Sequence, residues 1–81
     1  MTELEIFEKL KEIFVLVVNR NADLSKITMN DHIINDLGVS SVGLIYLIVA
    51  IEESFGIDMS EVSMNTFQTI NDVVKYIKGN L

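Results

Sequence analysis

The chain contains no cysteine, which excludes disulfide staples and thiolate metal sites alike. A single histidine, His32, excludes a histidine-rich metal centre. Basic residues are few and sit towards the two ends: Lys9, Lys11, Arg20, Lys26, Lys75 and Lys78. Between Ile27 and Val74 there is no Lys or Arg, but there are seven acids: Asp31, Asp36, Glu52, Glu53, Asp58, Glu61 and Asp72. That central negative field, within a net charge of −6, argues against nucleic acid and suits partners that carry basic patches. Prolines, repeats and low-complexity tracts are absent. The first residues, MTELEIFEKL, are acidic and amphipathic and do not read as a secretory signal. The longest uncharged apolar run, Val42 to Ile51, is about half of what a bilayer span needs. The expectation is therefore a cytoplasmic monomer with no membrane or nucleic-acid partner.

What the chain does have is apolar residues, 49% of 81. One free-standing domain over 1–81 is expected, near the lower size limit for a single unstapled core. Leu4, Phe7, Leu10 or Lys11, Phe14 and Val17 recur at spacings of three and four, which predicts an amphipathic helix from Leu4 to about Val18 with Thr2 as N-cap. Its last turns, IFVLVV, are apolar almost all round, so burial is expected to deepen towards its end. Residues 20–40 form a connection too long to be structureless in a compact domain unless it serves function. Ile27, Met29, Ile33, Ile34 and Leu37 are expected to pin it, with a turn at Asn30–Asp31 and positive φ at Gly38.

A second helix is predicted from Ser41 to Phe55, with Ile45, Leu47, Ile48, Ile51 and Phe55 inward. Gly56 suits its left-handed ending, and Ile57 can fold back on Ile51. A short turn or helix around Ser60–Met64 follows. Thr69-Ile70-Asn71-Asp72 then opens a last helix as a capping box, with Lys75 and Lys78 late in it. The fold expected is all-α: a bundle of three longer helices, one short helix and a long first loop.

Chemistry centres on the adjacent pair Ser40 and Ser41 in DLGVSSVGLIY. A serine nucleophile needs a general base and an oxyanion hole. His32 stands nine residues earlier in a loop, there is no G-x-S-x-G elbow, and a small helical domain leaves little room for a pocket. His32 reads as a loop residue without a special role. Two readings of the pair stay open. Either serine can cap the helix by accepting an orphan N–H, or one can carry a phosphate ester favoured by the same N–H groups and the helix dipole.

The stretch Ile33-Ile34-Asn35-Asp36-Leu37-Gly38-Val39-Ser40-Ser41-Val42, with Leu47-Ile48-Val49-Ala50-Ile51-Glu52-Glu53-Ser54-Phe55-Gly56-Ile57 after it, resembles the acyl and peptidyl carrier proteins. In that family an aspartate-leucine-glycine turn leads into Asp-Ser-Leu and an apolar helix that ends in acids and phenylalanine. The likeness extends over nearly the whole chain and implies a four-helix bundle of the acyl-carrier type. It further implies that Ser41 is the attachment point of 4′-phosphopantetheine, transferred from coenzyme A by a phosphopantetheinyl transferase. The chain would then be a non-catalytic phosphoprotein carrying acyl or aminoacyl thioesters between a loading enzyme and downstream synthases. Ser41 is preferred over Ser40 because it aligns with the family serine at the expected distance from the Asp-Leu-Gly turn.

The likeness breaks at informative positions. Ser40 replaces the family's aspartate, Val42 its leucine, Gly43 a commonly acidic position and Tyr46 a glutamate, while Glu52 and Glu53 remain. These changes reflect either drift at exposed positions or a partner surface built more on apolar contact. On the second reading Val42, Leu44, Tyr46 and Val49 supply that contact beside Ser40 and Gly43, with Tyr46 as anchor. A specialised polyketide, nonribosomal-peptide or related pathway then fits better than housekeeping fatty-acid synthesis. An unmodified carrier-like adaptor is the remaining alternative. Met64 and Phe67 are candidates to line a cargo pocket or simply to pack in the core.

Overall fold

In the computed structural model, residues 1–17, 24–60, 62 and 67–81 are described. Three α-helices form from them: α1 (Glu3–Val17), α2 (Ser41–Phe55) and α3 (Ile70–Asn80), with a 3₁₀ turn at Leu24–Lys26 between α1 and α2. This corrects the expected four-helix bundle. Most of the stretch expected to form the short helix around Ser60–Met64, namely residues 61, 63 and 64, lies outside the described residues. The described part beside it is a turn: Asp58 Oδ1 accepts the Ser60 N–H at 2.8 Å, and Val62 N–H reaches the Met59 carbonyl at 3.1 Å. A side chain that binds the backbone two residues ahead competes with helical pairing there.

α1 packs against both α2 and α3. It opens on a reciprocal pair, the Thr2 hydroxyl accepting the Glu5 N–H at 3.1 Å while the Glu5 carboxylate accepts the Thr2 N–H at 2.9 Å. Its buried face is Ile6, Phe7, Leu10, Ile13 and Phe14. Leu4 and Val17 are exposed, and so is Leu16, so burial lessens along the final turn instead of deepening. An apolar turn is buried only where another element covers it, and Leu16 and Val17 face outward here.

α2 has the predicted limits. Of the predicted inward residues, Leu47 and Ile51 are buried, and Ile48 and Phe55 pack partly against the core; only Ile45 is displaced, by Leu44. Leu44, Leu47 and Ile51 point inward, whereas Ile45 is exposed. Val42 to Ile51 carries no charge on any side, so hydrophobicity could not say which side faces the core. Gly56, at φ +67°, ends the helix with its N–H on the Glu52 carbonyl, and Ile57 beyond it joins the same core cluster as Ile51.

The connection before α2 is ordered by its own short side chains. Asp31 accepts both the N–H and the hydroxyl of Thr28 at 3.0 Å. His32 is no idle loop residue. Its N–H donates to Asp36 Oδ2 at 2.7 Å, while its Nδ1 accepts the Asn35 N–H at 3.1 Å. The turn closes through Gly38 N–H to the Ile34 carbonyl and Val39 N–H to the Ile33 carbonyl, with Gly38 at φ +70°. Ile27, Ile33 and Val39 anchor this segment in the core, while Ile34 is exposed.

α3 buries Ile70, Val73, Val74 and Ile77. Thr69 and Asp72 form the predicted capping box. Asp72 Oδ2 accepts the N–H groups of both Thr69 and Gln68, which hold its carboxyl below the usual carboxylate range. His32 and Thr69 form an isolated antiparallel bridge, flanked by Ile33 N–H to the Gln68 carbonyl at 2.8 Å and Ile70 N–H to the Asp31 carbonyl at 3.1 Å. The loop that leads to the serines is thereby fixed to the start of α3.

Candidate functional site

The two serines differ in what their hydroxyls do. Ser40 is the N-cap, with extended backbone (φ −74°, ψ 167°) and its Oγ accepting the Gly43 N–H at 3.1 Å. Its carbonyl takes the first helical bond, from Leu44 N–H at 2.9 Å. A neutral hydroxyl thus does the work expected of an aspartate cap. Ser41 is the first helical residue and is exposed, and its hydroxyl has no partner among the described residues.

Position in the helix gives Ser41 its electrostatics. The N–H groups of Ser41 and Val42 open the helix and have no carbonyl within it to reach, so the positive end of the dipole lies under the Ser41 side chain. Lys9 serves the other end of α2, donating to the Ser54 carbonyl at 3.0 Å with its ammonium 4.8 Å from the Phe55 ring centre. A phosphodiester on Ser41 would meet those N–H groups, and its linkage would project from an exposed position. The residues present therefore fit such a group.

From Ser41 one side of α2 faces solvent and is apolar. Val42 is 59% exposed, Ile45 51%, Tyr46 60% and Val49 45%. Of the expected partner-facing residues, Val42, Tyr46 and Val49 share this side with Ser40 at its head, while Gly43 is half-buried. Leu44 is a correction: at 1% exposure it belongs to the core and cannot reach a partner. Ile45 is exposed beside it instead, although the sequence pattern places it inward. Glu53 is exposed, but Glu52 is half-buried, and its Oε2 accepts the Met59 N–H at 3.0 Å.

Phe67 is buried and meets Tyr76 edge-on, ring centres 5.5 Å apart. With Gln68, Asp72, Lys75 and Tyr76 it lines an open depression of about 420 Å³ whose walls include no residue of α2. Met64, the other expected pocket residue, lies outside the described residues. Among the described residues no three His, Cys, Asp or Glu side chains gather as a metal site. No described helix is long and apolar enough to cross a membrane.

Residues 8–77 match the family model of the phosphopantetheine attachment site. The chain belongs to this family. It is similar to the acyl carrier protein of Lactobacillus acidophilus, with 34% identity over 99% of this chain and 98% of the relative. Against the acyl carrier protein of Clostridium acetobutylicum the identity is 36%, over 93% of this chain and 95% of the relative. Among solved structures, the apo doublet acyl carrier protein from prodigiosin biosynthesis shares the fold with a TM-score of 0.79. At 21% identity, over 95% of this chain and 36% of that one, the likeness is one of fold alone. The chain is thus a thioester carrier bearing phosphopantetheine, and the thiol of that arm supplies the reactive sulfur that the cysteine-free sequence lacks. Family membership implies partner enzymes, among them the transferase that installs the arm.

Proposed function

We propose that Ser41 is the residue esterified by 4′-phosphopantetheine, and that the carrier works in the cytoplasm of a specialised polyketide, nonribosomal-peptide or related pathway. The observation that carries the site is the division between neighbouring hydroxyls: Ser40 Oγ is engaged by the Gly43 N–H, while Ser41 Oγ is exposed and unengaged. The cytoplasmic placement rests on the supply of coenzyme A, the donor of the arm.

The pathway reading rests on the solvent side of α2. Val42, Ile45, Tyr46 and Val49 are exposed there, Ser40, Gly43 and Tyr46 stand where an acidic carrier presents carboxylates, and Glu53 lies at the foot of the helix. Such a face suits transferase, loading and synthase enzymes that offer an apolar concavity. Tyr46 is the anchor, being large, amphipathic and near the centre of the stripe.

The test is intact-mass measurement after incubation with coenzyme A, Mg²⁺ and a broad-specificity phosphopantetheinyl transferase. An adduct present in Ser40→Ala and absent in Ser41→Ala is expected. No adduct with any transferase would mark an unmodified adaptor. Efficient turnover of the loaded protein by housekeeping fatty-acid enzymes would remove the specialised pathway.

A further inference from the structure

The two acids that close α2 are adjacent in sequence but do different things. Glu53 is exposed to solvent. Glu52 turns back on the segment that follows the helix and receives the Met59 N–H on its Oε2 at 3.0 Å, across seven residues. Its main-chain carbonyl meanwhile accepts the Gly56 N–H at 2.9 Å. Glu52 therefore holds both the left-handed ending and the strand of chain beyond it.

That strand has reason to be held. Ile57 and Met59 are buried in the core, at 9% and 2% exposure, and the backbone between them belongs to no helix or bridge. Burying Met59 brings its N–H inward, and an N–H left unpaired there would carry a desolvation penalty. The Glu52 carboxylate removes that penalty. Beside it, the Tyr76 hydroxyl reaches the Asp58 carbonyl at 3.4 Å, a long contact that guides the same segment towards α3.

We infer that Glu52 is a clasp, a positioning residue that fastens the 57–60 segment over the core, and is not a docking charge. α2 contains no other acid besides Glu53. The docking face proposed above, on which this inference rests, then offers a partner one carboxylate at its foot instead of two. Glu52 is half-buried and has Oε2 committed to the Met59 N–H, so it presents its charge to a cation less openly than the exposed Glu53 does. The complementary enzyme surface is an apolar concavity flanked by a single cation placed for Glu53.

The experiment compares Glu52→Ala, Glu52→Gln and Glu53→Gln in the apo protein. Amide hydrogen exchange at Met59 is expected to rise about tenfold in Glu52→Ala, the scale of a lost bond to a charged acceptor. Glu52→Gln keeps an acceptor oxygen without the charge, and is expected to restore slow exchange. With the transferase at low salt, Glu53→Gln is expected to raise KM more than Glu52→Gln does, because only the exposed charge steers encounter. Unchanged Met59 exchange in Glu52→Ala overturns the clasp, as does a KM for Glu52→Gln raised as far as that of Glu53→Gln. The exchange arm needs no transferase, so failure of the carrier reading and failure of the clasp are read separately.

Discussion

The Ile33 N–H meets the Gln68 carbonyl at 2.8 Å, joining the turn that precedes the serines to the residue before the N-cap of α3. Residues far apart in the chain thus set where Ser41 begins its helix. The orientation of the site depends on the N-terminus of α3 as well as on α2 itself.

Gly38 is where that turn is most exposed to substitution. It sits at φ +70°, and a Cβ there would find nothing within 4 Å. Gly38→Ala is therefore a test of backbone conformation without a clash, expected to lower unfolding free energy by about 1–2 kcal/mol. Urea denaturation measures it. A loss greater than about 3 kcal/mol would show that the turn is coupled to packing in some other way.

Ser40→Ala removes a helix cap and is expected to cost about 1 kcal/mol. Ser41→Ala removes an unengaged hydroxyl and is expected to leave stability within about 0.5 kcal/mol. Thermal unfolding of both apo variants checks the pair. Equal losses would contradict the assignment of the cap to Ser40 alone.

Leu44 and Ile45 are adjacent with opposite fates. Leu44→Ala should destabilise by about 2–5 kcal/mol through a core cavity. Ile45→Ala should change stability by less than about 0.5 kcal/mol, yet raise KM for the transferase. If the two substitutions exchanged roles, the helix would have the other phase.

The α3 cap makes stability depend on acid. Two backbone N–H groups lower the Asp72 pKa from its ordinary 3.8 in the folded chain. A depressed carboxylate contributes stability that is complete above the unfolded value and is lost as pH falls through the folded one. Melting temperature should therefore fall on the acid side of pH 3.8, more steeply in the native chain than in Asp72→Ala. Parallel profiles would remove Asp72 from the account.

The sequence carried the features whose causes are local. The limits of α2, the Ser40 cap, Gly56 and the Thr69–Asp72 box each depend on residues within one turn, and all are as expected. Whether Leu44 or Ile45 turned inward was hidden because apolar residues encircle α2. Exposure at Leu16 was hidden too, since an apolar turn does not reveal which of its sides has a neighbour. His32 as a cap and Glu52 as a clasp use partners three to seven residues away through irregular backbone, where no periodicity announces them. At the site itself, residue types alone left Ser40 and Ser41 open as caps or carriers; the family resemblance favoured Ser41 as the carrier, and the geometry shows Ser40 Oγ engaged as the cap.

α1 packs on both other helices, and its contacts reach to the far end of the chain: Lys9 binds Ser54, and Lys78 binds the Met1 carbonyl. Non-local contacts of this kind slow folding, because distant segments must be brought together before burial rewards them. α1 has no complete surface to rest on until α2 and α3 have both formed against it. Ser41 therefore acquires its fixed presentation only once all three helices have docked.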